Sequence, residues 1–348
     1  MTQEAAPASD EVLEVAPGVL RVQLPINFTG LGHTNMYVLE DGRGAAVIDT
    51  GLPGRKAWGT IRSGLKSAGV PLSRVHTIMI THSHPDHFGN AARLAAESDA
   101  DLLTHKAFQI WWTPDTHSEG LSFDEDEQAK HADARDGRMP WHGSSHRRPI
   151  QARLRGWFLR NVGHRMYRTP TPTRRLSDGE LLHLAGRTFQ AVHTPGHTAD
   201  HLCWLEPETG VLFSGDHVLP TITPHIAGIG AGPDPLADYV ASLDKTVALP
   251  GVSLVLPAHG DPISDLAARA VSIKRHHEDR LRQLRQIVGA SGPMTVTELA
   301  GELFPKRLWG FMAESEAFAH IEHLRFLGEV SRTEVDGHVV FEAVTGGP

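Results

Sequence analysis

Residues 81–90 read THSHPDHFGN, and they place four side chains that could bind a metal ion within six positions: His82, His84, Asp86 and His87. Divalent ions such as zinc bind imidazole nitrogens and carboxylate oxygens. His82 and His84 occupy alternate positions of an extended segment and can point the same way. Asp86 and His87 follow the turn at Pro85. The spacing therefore predicts a loop that supplies ligands to two metal ions close together.

Three later segments have the composition needed to complete such a site. TFQAVHTPGH, VLFSGDH and SLVLPAHG are apolar runs that end at Gly or Pro beside His or Asp, and they contribute His197, Asp216 and His259. A carboxylate such as that of Asp216 can bridge two cations that would otherwise repel each other. Strands that end in polar loops at one edge of a sheet are how α/β folds build sites. One such loop would be ordinary, but four favour a shared site.

The elements that must position these loops follow from the hydrophobic pattern. GVLRVQLP and TNMYVLE alternate apolar and polar residues as half-buried strands do, and AAVIDTG and HTIMITHSH contain buried strands that run into loops. Helical spacing follows in RKAWGTIRSGLKSAG and GNAARLAAES. Strands alternating with helices predict an α/β fold.

The composition limits the classes of function. A chain of 348 residues with 40% hydrophobic residues predicts one large domain and one small one, and its net charge of −8 argues against a chain built as a whole for nucleic acid or an anionic membrane. The single cysteine, Cys203, excludes an intrachain disulfide and a cysteine-based zinc site. The first 18 residues lack the basic start and apolar run of a signal peptide, and no stretch is long enough to cross a bilayer. We therefore expect a cytoplasmic protein with no membrane partner.

The motifs THSHPDH, TPGHT, SGDH and PAHG, preceded by VIDTG, resemble in this order those of the metallo-β-lactamase superfamily of hydrolases over about residues 18–265. The resemblance implies an αββα sandwich with the metals at one edge of two packed sheets. It implies a first metal held by His82, His84 and His197, a second held by Asp86, His87 and His259, and Asp216 as the bridge. Asp49, in VIDTG, matches an acid outside the ligand set that orients the ligand loop.

The pattern is closer to glyoxalase II, lactonases and metallo-ribonucleases than to the true β-lactamases, which have Cys or no bridging acid where Asp216 stands. Two cations that share a water would lower its pKa and give a bound hydroxide able to attack an ester, thioester, lactone or phosphodiester. Asp86 could orient that water. His217 and His225 are candidate donors of a proton to the leaving group, or else loop histidines satisfied by backbone carbonyls. Cys203 lies in the apolar stretch DHLCWL and is predicted to be a core residue.

Residues 266–348 read as three helical segments followed by a hairpin at Asp336 and Gly337, which predicts a winged-helix-like domain after a catalytic domain at 1–265. Such a tail resembles the β-lactamase-like protein 2 group, whose members are assigned endoribonuclease activity. Residues 293–348 nevertheless hold nine acids against four basic residues, a charge of −5, whereas phosphate binding needs a positive face. Packing or dimerisation is therefore favoured over nucleic-acid binding.

An insertion at about 105–178 carries ten Arg and no acid between Gly137 and Ser177. It is either a solvated lid with its own salt bridges or a surface over the metals that recognises an anionic part of the substrate. The sequence as a whole favours a hydrolase with two divalent ions, most consistently zinc, that acts on a small-molecule ester, thioester or lactone. A metallo-endoribonuclease is the alternative, and a non-catalytic metal or ligand sensor is the third class.

Overall fold

The computed structural model describes residues 1–28, 30–110, 139–143 and 169–344. The first sheet has seven strands in the spatial order β1 to β7. Strands β1 to β4 are antiparallel, and β4 to β7 are parallel. The seven strands are β1 (Leu13–Ala16), β2 (Val19–Phe28), β3 (Leu31–Asp41), β4 (Gly44–Ile48), β5 (Val75–Met79), β6 (Asp101–His105) and β7 (Arg174–Leu176).

The second sheet has five strands in the order β12-β11-β10-β9-β8. The pairs β8/β9, β9/β10 and β10/β11 are antiparallel, and β12 is parallel to β11. The five strands are β8 (Leu181–Leu184), β9 (Arg187–His193), β10 (Leu202–Glu206), β11 (Val211–Gly215) and β12 (Leu254–Pro257).

Seven α-helices lie within the described residues, together with two short 3-10 helices at 72–74 and 306–308. Asp234 and Asp265 cap the helices that follow them by accepting a hydrogen bond from a backbone N–H three residues on. The helices are α1 (Arg55–Ser67), α2 (Pro85–Phe88), α3 (Ala91–Ser98), α4 (Pro235–Val247), α5 (Leu266–Ser291), α6 (Val296–Leu303) and α7 (Phe311–Phe326).

The two sheets pack face to face. Alternate residues of a strand point to opposite sides of its sheet, so one strand contributes to two different cores. In β3, Tyr37 and Leu39 face a core shared with the second sheet, whereas Met36 and Val38 face helices α1 and α3. The rings of Tyr37 and Phe213 meet between the sheets at 5.2 Å. The outer face of the second sheet packs on α4 to α7. These four layers confirm the predicted αββα sandwich, and Cys203 is buried in the outermost core, as predicted.

The C-terminal region continues this core, since one hydrophobic cluster joins Val192 and Leu212 of the second sheet to Leu284 of α5 and Phe318 of α7. Three short strands form a third sheet in the order β13-β15-β14, with bounds β13 (Met294–Thr295), β14 (Val330–Val335) and β15 (His338–Ala343). The predicted hairpin is present at Asp336 and Gly337, which both have positive φ. Its classification as a winged helix and the boundary between 1–265 and 266–348 stay predictions.

Most of the predicted insertion at 105–178 lies outside the described residues, including eight of the ten arginines between Gly137 and Ser177. Arg174 and Arg175 belong to β7, at the edge of the first sheet. Trp141 packs on the ring of Phe318, 5.1 Å away. In the described part of the chain no helix has the length and apolar character that a membrane span needs.

Candidate metal centre

Five loops converge at one edge of the sandwich because the strands before them point the same way. β4 ends before Asp49 and β5 ends before the loop at 80–84, and these strands are parallel. β9, β11 and β12 share one direction in the second sheet, and the loops after them carry His197, Asp216 and His259. The carboxyl ends of like-directed strands lie at one edge of a sheet, so residues far apart in the chain meet there.

The first group of candidate ligands consists of His82, His84, His197 and Asp216, whose ligand atoms all lie within 4.8 Å of one another. His84 Nδ1 lies 2.9 Å from His82 Nε2 and 3.0 Å from His197 Nε2. A tetrahedral ion with metal–nitrogen distances of about 2.0 Å separates its ligands by about 3.3 Å. Three imidazole nitrogens at this spacing cannot all pair by hydrogen bonds, so the arrangement fits a bound cation.

The second group consists of Asp86, His87 and His259, whose ligand atoms also lie within 4.8 Å of one another. Asp86 Oδ2 lies 3.6 Å from Nε2 of His87 and 3.6 Å from Nε2 of His259. Both nitrogens are buried, and neither has a hydrogen-bond partner in the described part of the chain. Buried polar atoms without a partner are rare and costly, and a metal ion would satisfy both nitrogens.

Asp216 belongs to the first group and also faces the second. Its Oδ2 is 3.5 Å from Nε2 of His197 and 3.5 Å from Nε2 of His87, whereas its Oδ1 is 3.2 Å from Nε2 of His259. Burial alone would raise the pKa of this carboxyl, but His259 and His87 hold the pKa of Asp216 well below its usual value. The group is therefore a carboxylate at neutral pH, with Oδ2 directed to both ligand groups and Oδ1 to the second group alone.

The histidines of the first group are suited to bind a metal as neutral rings. Burial lowers the pKa of His82, His84 and His197, and for the first two neighbouring histidines lower it further. For His87 and His259 burial acts in the same direction, but the carboxylates around them, above all Asp216, outweigh it and raise their pKa. The same negative field would attract a metal cation to these two rings.

Backbone carbonyls and one carboxylate fix the orientation of three histidines. His197 Nδ1 lies 2.7 Å from the carbonyl oxygen of His225, and His259 Nδ1 lies 2.6 Å from that of His33. His87 Nδ1 lies 2.8 Å from Asp49 Oδ2. Each Nδ1–H donates to an oxygen, which leaves Nε2 free to bind a metal.

Asp49 also ties the ligand loop to the end of β4. Its Oδ1 accepts a hydrogen bond from the backbone N–H of Thr81 at 2.9 Å, and its side chain is buried. The residue has φ 59°, a left-handed conformation that aspartate tolerates better than most residues. Asp49 thus contacts the ligand loop, for which the family resemblance implies an orienting acid.

The two predicted proton donors lie in different surroundings. His217 is buried, with its ring 5.4 Å from that of Tyr239 and its Nε2 3.3 Å from Thr246 Oγ1, and burial lowers its pKa to about 3. These contacts place its ring against α4. His225 keeps 18% of its side chain exposed, and its Nδ1 lies 3.3 Å from Glu316 Oε2. Of the two, His225 is the one open to a substrate.

Two residues that brace the site carry little signal in the sequence. His201 accepts a hydrogen bond from the backbone N–H of Asp216 at 3.1 Å, and its Nδ1 lies 2.8 Å from Thr194 Oγ1. In the sequence, only its position four residues after His197 connects it with the site. The Glu4 carboxylate accepts hydrogen bonds from the backbone N–H groups of Thr221 and Ile222, and nothing in the acidic N-terminal segment indicates this.

Comparison with known proteins identifies the family. The metallo-beta-lactamase superfamily model matches residues 29–259. The atrochrysone carboxyl ACP thioesterase of Aspergillus terreus (strain NIH 2624 / FGSC A1156) is 28% identical over 316 residues, which cover 87% of this chain and 76% of that protein.

Two solved structures are similar over nearly the whole chain. The structure of a metallo-beta-lactamase family protein from Thermus thermophilus has a TM-score of 0.74 and 28% identity, and covers 95% of this chain and 100% of its own. That of a beta-lactamase domain protein from Burkholderia ambifaria has a TM-score of 0.74 and 26% identity, and covers 97% and 96%. These findings confirm the predicted superfamily, whereas the glyoxalase II-like subtype stays a prediction. The chain is a metal-dependent hydrolase that belongs to the metallo-beta-lactamase superfamily.

Proposed function

We propose that this chain is a binuclear hydrolase that cleaves the acyl bond of a small-molecule thioester, ester or lactone. The observation that carries the proposal is the Asp216 carboxylate, which directs one oxygen to His197 and His87 and the other to His259. A thioester is the preferred substrate class because a relative that aligns with 87% of the chain is named as a thioesterase.

Both ligand groups fit divalent ions, and we propose zinc at each because imidazole nitrogens dominate the donor set. Divalent ions held there would lower the pKa of water toward neutrality and polarise the acyl oxygen. The residues of the chain supply the rest. Asp216 holds the two groups at a fixed separation, and Asp49 fixes the ring of His87. The Asp86 side chain keeps 14% of its surface exposed, so it can accept a hydrogen bond from the attacking water.

His225 is the proposed proton donor to the leaving group. Its ring is partly exposed, and Nδ1–H faces the Glu316 carboxylate, which leaves Nε2 to take up the proton that the attacking water loses and to pass it to the leaving group. A thiol has a pKa of about 8.5 and leaves readily as the anion, whereas the far less acidic alcohol of an ester or lactone needs a proton as it departs. His225 should therefore matter more for oxygen esters than for thioesters.

The alternative of a metallo-endoribonuclease finds no comparable support among the described residues. The C-terminal stretch at 293–348 has a net charge of −5, which opposes binding of a phosphate backbone. A preference for an anionic substrate depends on arginines that lie mostly outside the described residues, and it stays a prediction, as does a homodimer.

The test is a substrate panel on the full chain after its metal content has been measured. An acyl-coenzyme A, the matched acyl ethyl ester, a γ-lactone and single-stranded RNA are assayed before and after chelation. We expect thioester cleavage that a chelator abolishes and zinc restores, with Asp216→Ala at least about 100-fold less active on every substrate that the wild type cleaves. Chelator-sensitive cleavage of RNA without turnover of any acyl substrate would replace the proposal with the endoribonuclease alternative.

A further inference from the structure

The loop at 219–228, between β11 and α4, touches a candidate metal ligand through its backbone. The carbonyl oxygen of His225 lies 2.7 Å from His197 Nδ1 and accepts its hydrogen. This bond sets both the tautomer and the rotation of the His197 ring, so the position of the loop determines where His197 Nε2 points. Contacts that fix the position of this loop therefore also fix the orientation of the His197 ring.

The C-terminal helices supply much of that support. On α7, Glu316 Oε2 lies 3.3 Å from His225 Nδ1, and Ser315 Oγ accepts a hydrogen bond of 3.0 Å from the backbone N–H of Gly228. On α5, Arg269 donates to the carbonyl oxygens of Leu219 and Ile222. The loop is thus fixed at its start, middle and end by side chains from beyond residue 265.

The contact between Glu316 and His225 is mostly buried, and the loop around it packs closely on α7. Only 17% of the Glu316 side chain and 18% of that of His225 are exposed. Gly228 packs so closely on α7 that a Cβ there would lie 2.7 Å from a ring carbon of Phe318. The loop and α7 therefore cannot separate or slide without breaking buried contacts.

Helix α7 is itself held to α5 by His320, one turn after Glu316. His320 Nδ1 lies 2.7 Å from the carbonyl oxygen of Glu316, and His320 Nε2 lies 3.0 Å from His277 Nδ1 on α5. Both histidines are 1% exposed. Burial alone would raise the pKa of the Glu316 carboxyl, but the hydrogen bond with His225 and the nearby His320 lower it to about 2. Glu316 thus presents a fixed carboxylate to His225.

We propose that Glu316 is a positioning residue of the metal centre, which acts through His225 to hold His197 in its binding orientation. The C-terminal helices then help to position the metal centre and are not an independent module added after the hydrolase. The inference rests on the proposed role of His197 as a ligand, so its test measures metal binding separately from turnover.

The experiment titrates the metal-free full chain with zinc against a fluorescent chelator and compares Glu316→Ala, Glu316→Gln and Glu329→Gln. Glu329 is the matched control, because it pairs with Arg285 within the same C-terminal region at 2.6 Å, and neither residue contacts the loop at 219–228 in any described hydrogen bond or ion pair. The loss of a direct partner of a metal ligand weakens binding by about 10–100-fold. Since Glu316 acts one residue further out, we expect Glu316→Ala to weaken one zinc equivalent by about three- to tenfold.

We expect Glu316→Gln, which keeps an oxygen that can accept from His225, to recover most of that affinity, and Glu329→Gln to bind as the wild type does. Melting temperatures are measured on all variants. Wild-type affinity in Glu316→Ala, or an equal loss at both equivalents that follows the melting temperature, would overturn the inference. A wild type that cleaves no thioester, with one equivalent still weakened in Glu316→Ala, would reject the proposed substrate and support the positioning role.

Discussion

Asp216 is the residue on which the proposed centre depends most, because its carboxylate faces both groups of candidate ligands. Replacing it with Ala should lower kcat/KM by about 100- to 10,000-fold, since the contribution of metal ions to catalysis amounts to several kcal/mol. The fold should survive, because the side chain contacts the histidines of the site rather than the hydrophobic core. Steady-state kinetics and thermal melting measure the two effects. Turnover of Asp216→Ala near the wild-type rate would exclude the bridge.

The proposed role of His225 as a proton donor can be tested by comparing two substrates that differ only in the leaving group. Replacing it with Ala keeps the backbone carbonyl that accepts from His197 but removes the proposed proton donor. For an acyl ethyl ester we expect kcat to fall by about 100-fold or more, which is the usual contribution of a general acid. For the thioester with the same acyl group the loss should stay below about tenfold, because a thiol leaves with little help.

The control for this comparison is His217→Gln. The His217 ring packs on Tyr239, so this change should affect both substrates alike and act mainly on stability. Equal losses on the ester and the thioester in His225→Ala would indicate that His225 orders the site without donating a proton.

At the scale of elements, the segment before β1 braces the site although it contains no helix or strand. Glu4 is fully buried, and its carboxylate accepts from Thr221 and Ile222, while its carbonyl oxygen accepts from Gly32 at 2.8 Å. Replacing Glu4 with Ala leaves two backbone N–H groups without a partner, which should cost about 1–3 kcal/mol of unfolding free energy. Urea denaturation measures this, and Glu11→Ala, at an exposed position of the same segment, is the control.

The stabilisation that the Glu4 carboxylate provides should decrease at low pH. Burial alone would raise the pKa of Glu4, but the hydrogen bonds from Thr221 and Ile222 together outweigh it and lower the pKa. The stabilisation is therefore complete above the ordinary pKa of about 4.3 and is lost as the pH falls through the lower folded value. A Glu4→Ala variant with wild-type stability at pH 7 would show that the segment does not support the loop.

The sequence predicted the elements whose signal is local. The strands before the ligand loops and the hairpin at Asp336 and Gly337 follow from hydrophobic alternation and from residues that tolerate positive φ. It also predicted which histidines and aspartates come together, because a strand that ends in a polar loop indicates one shared edge. The short strands β7 and β13 were missed, because they have only three and two residues and too few positions to show a period.

The supports of the site could not be predicted in this way. Glu316 meets His225 across 91 positions, and Glu4 meets Thr221 across 217. Such pairs leave no periodic pattern, and a glutamate in an acidic segment or on a helix is ordinarily a solvated charge. Only the packing of α5 and α7 on the second sheet brings Glu316 to the loop.

At the scale of the whole molecule, the buried histidines between α5 and α7 make stability depend on pH. Burial, with His320 beside it, lowers the pKa of His277 from 6.5 to about 3. The folded state therefore keeps His277 neutral while the unfolded chain takes up a proton. This contribution to stability is complete above about pH 6.5 and is lost as the pH falls toward 3, by up to about 1.4 kcal/mol per pH unit.

The measurement is urea denaturation of the metal-free chain at pH 7.5 and 5.5. We expect the wild type to lose more stability over this range than His277→Gln, with a difference of about 1 kcal/mol. The other buried histidines remain in both proteins, so the difference reports on His277 together with its contact to His320. An identical loss in the two proteins would contradict a neutral His277 in the folded state.

The central claim is that two ligand groups share Asp216, and the stoichiometry of metal binding tests it most directly. The metal-free full chain is titrated with zinc, and the bound metal is counted by elemental analysis. Two equivalents per wild-type chain, with at least one lost in Asp216→Ala, is the predicted result. No more than one equivalent in the wild type under metal-replete conditions would contradict the binuclear centre.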